Sequence, residues 1–74
     1  MDPLEAAMTV LGDAAEPLHW TVIQDRALRG GLIDPFVVGD VRSVLLKALR
    51  EGSRSGVLVR AGTGVYALAE PDGG

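Results

Sequence analysis

The sequence predicts an α+β fold, mostly helical, in which three helices precede a C-terminal two-stranded β-hairpin. Three observations support this. Apolar residues recur at helical spacing in two stretches, a capping pattern opens a third, and two β-rich runs near the C-terminal end flank a glycine-rich turn. With 74 residues, 47% of them hydrophobic, most of the apolar side chains must serve one small core.

The first helix opens at Asp2, a capping residue with Pro3 in the first turn and Glu5 three residues on. Leu4, Ala7, Met8 and Leu11 then follow at i, i+3, i+4 and i+7 before Gly12. Asp13 to Pro17 reads as a polar loop, and Leu18, His19 and Trp20 as a short extended segment. Thr21 and Gln24 have the spacing of a capping box. They open a second helix over residues 21–29, with Val22, Ile23, Ala27 and Leu28 as its apolar positions and Gly30-Gly31 as its left-handed cap. Asp34-Pro35 favours a turn or a fresh helical start, and Gly39-Asp40 offers a further N-cap.

The third helix runs from Asp40 to Glu51, because Val41, Val44, Leu45, Ala48 and Leu49 fall on one arc when residues are placed about 100° apart. Gly52 to Gly56 reads as a loop. Val57 to Arg60 and Val65 to Ala69 are the hairpin strands, joined by Ala61-Gly62-Thr63-Gly64. The domain covers residues 1–70, and residues 71–74, which have no apolar anchor, read as a flexible tail or the start of a linker, as in an excised N-terminal domain. Helix, short strand, helix, helix and hairpin is the order of a winged helix-turn-helix, with the hairpin as its wing.

Composition removes several function classes. There is no cysteine, hence no disulfide framework, thiolate nucleophile or Cys-based zinc site. No apolar run approaches the ~20 residues that span a bilayer, and the N-terminus lacks a signal-peptide pattern, so the expectation is a cytoplasmic protein with no membrane role. Six arginines against one lysine, with no asparagine, reflect GC-rich coding more than chemistry. The net charge of −3 is unevenly distributed. Residues 1–41 hold seven acids against Arg26 and Arg29, whereas residues 42–60 hold Arg42, Lys47, Arg50, Arg54 and Arg60 against Glu51 alone.

Particular residues also resemble a known family. Glu16-Pro17-Leu18-His19-Trp20-Thr21-Val22-Ile23, then Arg29-Gly30-Gly31-Leu32-Ile33, then Gly64-Val65-Tyr66-Ala67-Leu68 resemble the HARE-HTH family in the correct order, the resemblance spanning residues 3–69. It implies a winged-helix module proposed to bind DNA. Such modules are found fused to restriction endonucleases and chromatin proteins and at the N-terminus of the bacterial RNA polymerase delta subunit. The sequence departs from the family pattern at Pro35-Phe36-Val37-Val38-Gly39, which replaces a Thr-Pro start, and at Val57, where an aromatic is common.

The face of the third helix opposite its apolar arc carries Arg42, Ser43, Lys47 and Arg50, and Arg54 and Arg60 extend it toward the wing. Guanidinium groups bind phosphates or guanine edges bidentately, and clustering them offsets the repulsion between DNA and an acidic protein. The expected function is therefore non-catalytic binding of double-stranded DNA, with these six residues as the contact set and Ser43 adding a hydrogen bond. The resemblance further implies that the domain would carry a fused or associated restriction, modification or transcription partner to DNA. The bland alternative is an ordinary solvated helix face.

Leu46 falls within the basic face and divides the readings. It is the apolar centre of a protein-docking patch for RNA polymerase or another partner, a contact to thymine methyls, or a leucine shielded by the following loop. His19 lacks both a nucleophile partner and companion metal ligands, so it reads as structural. Trp20 reads as a cover for the second helix, and Tyr66 with Leu68 as closing the core. Gly62-Thr63-Gly64 precedes a strand rather than a helix and reads as a turn, not a phosphate cradle. Asp25, Asp34 and Asp40 read as caps and solubilising charges. No enzyme, metal or cofactor is expected.

Overall fold

The computed structural model describes residues 1–69, in the order α1 (Pro3–Ala14), β1 (Leu18–His19), α2 (Trp20–Arg29), α3 (Pro35–Val38), α4 (Val41–Ser55), β2 (Leu58–Gly62) and β3 (Val65–Leu68). The expected tail at 71–74 lies outside the described residues. The fold is α+β and mostly helical, with one small antiparallel sheet. Among the described residues there are four helices rather than three, and the short extended segment joins the two hairpin strands in a three-stranded sheet.

The added helix is α3, a single turn. Asp34 caps it by accepting the Phe36 amide at 2.9 Å, and Pro35 supplies a first residue with helical φ already set. The short strand expected before the second helix is β1, and its place in the sheet comes from the structure. Leu18 pairs with Tyr66 and His19 with Val65, which makes β3 the central strand of the order β1-β3-β2.

Gly30 ends α2 as expected, but two other glycines read as stops do not end their helices. α1 passes through Gly12 and ends only at Ala15, whose φ of 54° is left-handed and whose amide donates to the Leu11 carbonyl at 3.0 Å. α4 likewise passes through Gly52 and ends at Gly56. Gly52 is buried, and a Cβ there would lie 2.8 Å from Leu58 Cδ1 and 2.9 Å from Leu4 Cδ1. A glycine costs a helix interior about 1 kcal/mol relative to alanine. Here it lets α4 lie directly against β2 and α1, and the packing of two leucines offsets that cost.

α2 begins at Trp20, and the Thr21–Gln24 capping box does not form. His19 is the cap instead: the Thr21 amide donates to His19 Nδ1 at 3.3 Å, and the Thr21 hydroxyl sits 2.8 Å from the same nitrogen. Pairing of β1 with β3 holds the chain extended through His19, and the Trp20 amide donates to the Gly64 carbonyl at 2.8 Å. The cap therefore falls at the last strand residue.

Leu11 of α1, Ile23 of α2 and Leu45 and Leu49 of α4 are fully or nearly fully buried, and Leu58 and Tyr66 close the core from the sheet. Leu68 packs against them as a half-buried neighbour. β2 leaves the C-terminal end of α4 and runs back along it, since Leu58 meets Gly52 while the hairpin turn reaches Trp20 at the start of α2. That turn depends on Gly64, whose φ is +71° and whose Cβ, if present, would lie 2.9 Å from His19 Nε2. Gly64→Ala is expected to lower stability by about 1–3 kcal/mol through left-handed strain and overpacking, read by urea denaturation followed by circular dichroism. A loss below about 0.5 kcal/mol would show that the turn relaxes freely.

Candidate nucleic-acid interface

α4 is amphipathic because its apolar residues repeat at helical spacing, and burying Leu45, Leu49 and Gly52 fixes its rotation about its own axis. Lys47, Arg50 and Arg54 then project from the opposite, exposed face. Among the described residues the one ion pair is Arg29 with Asp25, at 3.0 Å, so no cation of α4 is held in a direct ion pair, while Glu51 is the one carboxylate exposed on the same helix. Arg54 lies in the last turn, where the negative end of the helix dipole favours a cation.

Arg42 and Ser43 are placed differently from the others. The Arg42 guanidinium carbon lies 5.5 Å from the centroid of the Trp20 ring, a cation–π distance that ties the start of α4 to the start of α2. Arg42 thus sits at the flank of the basic face, beside an aromatic. The Ser43 hydroxyl donates to Asp40 Oδ2 at 2.7 Å, and its amide donates to Asp40 Oδ1 at 3.3 Å. Phosphate oxygens only accept hydrogen bonds, and the one hydroxyl proton of Ser43 is already engaged in capping. As placed here, Ser43 is part of the helix cap.

Asp40 is the N-cap of α4, as the sequence indicated. The Ser43 hydroxyl, then the Ser43 amide, with a smaller contribution from the Arg42 charge, stabilise its carboxylate and hold its pKa below the usual range. A group whose folded pKa is depressed contributes stability that is fully present above the unfolded value and is lost as pH falls through the folded one. Acidification through and below the ordinary carboxylate range should therefore weaken the start of α4. In Asp40→Asn, whose amide oxygen still accepts but does not titrate, that part of the acid dependence should vanish. Thermal melts across acid pH, with the Ser43 amide followed by NMR, check both expectations.

Arg60 lies on the hairpin in register with Tyr66 and is exposed, since along β2 only Leu58 is buried. Its Nε donates to the Gly62 carbonyl at 3.3 Å beside the irregularity between Arg60 and Gly62. Leu46 is half-buried and is not one of the side chains packed against the core. On the helical circumference it falls between Arg42 and Arg50.

Two features escaped the sequence reading. The Arg42–Trp20 contact joins residues on different helices, and no local pattern signals it. The second is the exposure of Phe36 and Val37, which was legible in principle: three consecutive apolar residues in one helical turn cannot all face one core. Two shallow grooves, of about 300 and 250 Å³, are lined from α1, α2, β3 and adjoining loops, and neither includes a residue of α4. Among the described residues no three His, Asp or Glu side chains gather, and no helix is long and apolar enough to cross a membrane. Comparison with protein-family models, with curated proteins and with solved structures found no match.

Proposed function

We propose that this chain is a winged-helix module that binds double-stranded DNA without catalysis and carries a fused or associated restriction, modification or transcription partner to it. The observation that carries the reading is the face of α4 formed by Lys47, Arg50 and Arg54, exposed and in no direct ion pair among the described residues. The element order and the sheet order β1-β3-β2 are compatible with a winged helix, in which α4 is the recognition helix and β2–β3 the wing. Lys47, Arg50 and Arg54 contact phosphates or base edges, Arg42 contributes from the Trp20 side, and Arg60 from the wing. Ser43 acts through the cap that fixes where α4 begins.

The test is titration with a short generic duplex at about 50 and about 200 mM salt, followed by backbone NMR. With about four phosphates neutralised, the log–log salt slope should be near −3.6, and amide shifts should fall within residues 40–64. A flat salt response, or no shifts at the lower salt, overturns the reading.

A further inference from the structure

The sheet is uneven in length. β3 spans Val65–Leu68, but β1 beside it spans only Leu18–His19, so the pairing of Leu18 with Tyr66 is the last on that side. Pro17 stops it, because a proline has no amide to donate, and the chain before it leads back to the end of α1. Along β3, alternate residues address alternate neighbours. The Trp20 amide donates to the Gly64 carbonyl on the β1 side, and the Ala69 amide to the Val57 carbonyl on the β2 side. The amide and carbonyl of Leu68 therefore point toward the β1 side, as those of Tyr66 do. Continuing the register would set Glu16 opposite Leu68, yet no backbone hydrogen bond joins them, and no other described residue takes either group.

A groove of about 300 Å³ lies at this gap. Its apolar lining comes from Leu11 and Ala15 at the end of α1, from Pro17, and from Ala67 and Leu68 of β3. Its charge is negative. Glu16, which also lines it, is exposed and in no ion pair with a described residue. The last turn of α1 holds Asp13 and no basic residue, although the negative end of a helix dipole favours a cation.

These features select the occupant. They repel a nucleic acid, and they repel the chain's own C-terminal residues 70–74, which include Glu70 and Asp72 and no cation. An extended peptide with a basic residue near an apolar one answers all three features. Its backbone bonds Leu68, its apolar side chain fills the groove, and its cation meets Glu16 and the carbonyl end of α1.

We infer that the gap between β1 and the end of β3 is a docking site for an extended, basic and apolar segment of a partner protein, which adds to the sheet at Leu68. The site shares no residue with the proposed duplex contact and does not rest on that reading.

The experiment pans a display library of short random peptides against the full chain, then titrates a synthetic copy of the most enriched sequence into the isotope-labelled chain. Sequences with Lys or Arg near an apolar residue should be enriched. NMR shifts should fall at Gly12, Ala15, Ala67 and Leu68, and exchange of the Leu68 amide with solvent should slow. Glu16→Lys, at an exposed position, should leave circular dichroism unchanged and weaken the peptide by about tenfold. A peptide methylated on its backbone nitrogens keeps its side chains but loses its donors, and should bind at least about tenfold more weakly. Lys47→Glu with Arg50→Glu, outside the groove, should change peptide affinity by less than about threefold at physiological salt. A library without enrichment, enrichment of acidic sequences or shifts centred on α4 overturns the inference. So does an affinity indifferent to Glu16→Lys or to backbone methylation.

Discussion

Leu49→Ala should remove about 3–5 kcal/mol of folding stability, the largest single-residue loss expected in the domain. Leu49 has no exposed surface and shares the core with Leu45, Ile23 and Leu11, where three helices and the sheet converge. Truncation loses the transfer energy of the methyl groups and leaves a void, which neighbours already packed from several directions fill poorly. At roughly 0.05–0.15 kcal/mol per residue, a chain of this length holds about 4–11 kcal/mol in total, so the variant stands close to unfolding at room temperature. Urea denaturation and thermal melting check this, with a midpoint lowered by about 12–40 °C. Leu46→Ala, three residues away on a half-buried flank, should cost under about 1 kcal/mol and serves as the control for the rotation of α4. Similar losses at both positions would mean that α4 is rotated from the orientation described.

Lys47→Glu combined with Arg50→Glu should largely abolish duplex binding while leaving the melting temperature nearly unchanged. Both side chains are exposed and neither forms an ion pair with a described residue. Removing two phosphate contacts at about −0.9 each changes the salt slope from about −3.6 to about −1.8, and near 0.1 M salt this alone lowers affinity by ~60-fold. Charge reversal adds repulsion. Ser43→Ala provides the contrast: it breaks the hydroxyl bond to Asp40 and should leave duplex affinity within about twofold. If the double reversal binds as tightly as the parent chain, α4 is not the contact surface. A large effect of Ser43→Ala would mean that its hydroxyl leaves the cap to reach DNA.

The parts of the fold legible in sequence were those set by period and side-chain volume. The arc of Leu45 and Leu49 oriented α4, and the shared strand side of Tyr66 and Leu68 marked the face of the hairpin that closes the core. What escaped was decided by tertiary contact. Gly12 and Gly52 look like helix stops, yet a propensity penalty of about 1 kcal/mol is smaller than the gain from continuing a helix into a packed site. Thr21 looks like a cap, but strand pairing two residues earlier gave that place to His19. The same distinction holds at the basic face. Helical geometry put Lys47 and Arg50 opposite the core; Arg54, read as a loop residue, joins them because α4 continues to Ser55, and the position of Arg42 depends on Trp20 and that of Ser43 on Asp40, neither of which a helical wheel represents.

The stacking of Arg42 on Trp20 equips the molecule with an optical reporter of its own state. Trp20 is the sole tryptophan, and with the Arg42 guanidinium carbon 5.5 Å from its ring centroid its emission is expected to change when that contact is disturbed. An anion that draws the guanidinium away should alter that emission without an attached dye, while an event confined to the far end of α4 should leave it unchanged. Intrinsic fluorescence therefore resolves which end of the helix is engaged, at protein concentrations far below those that NMR requires.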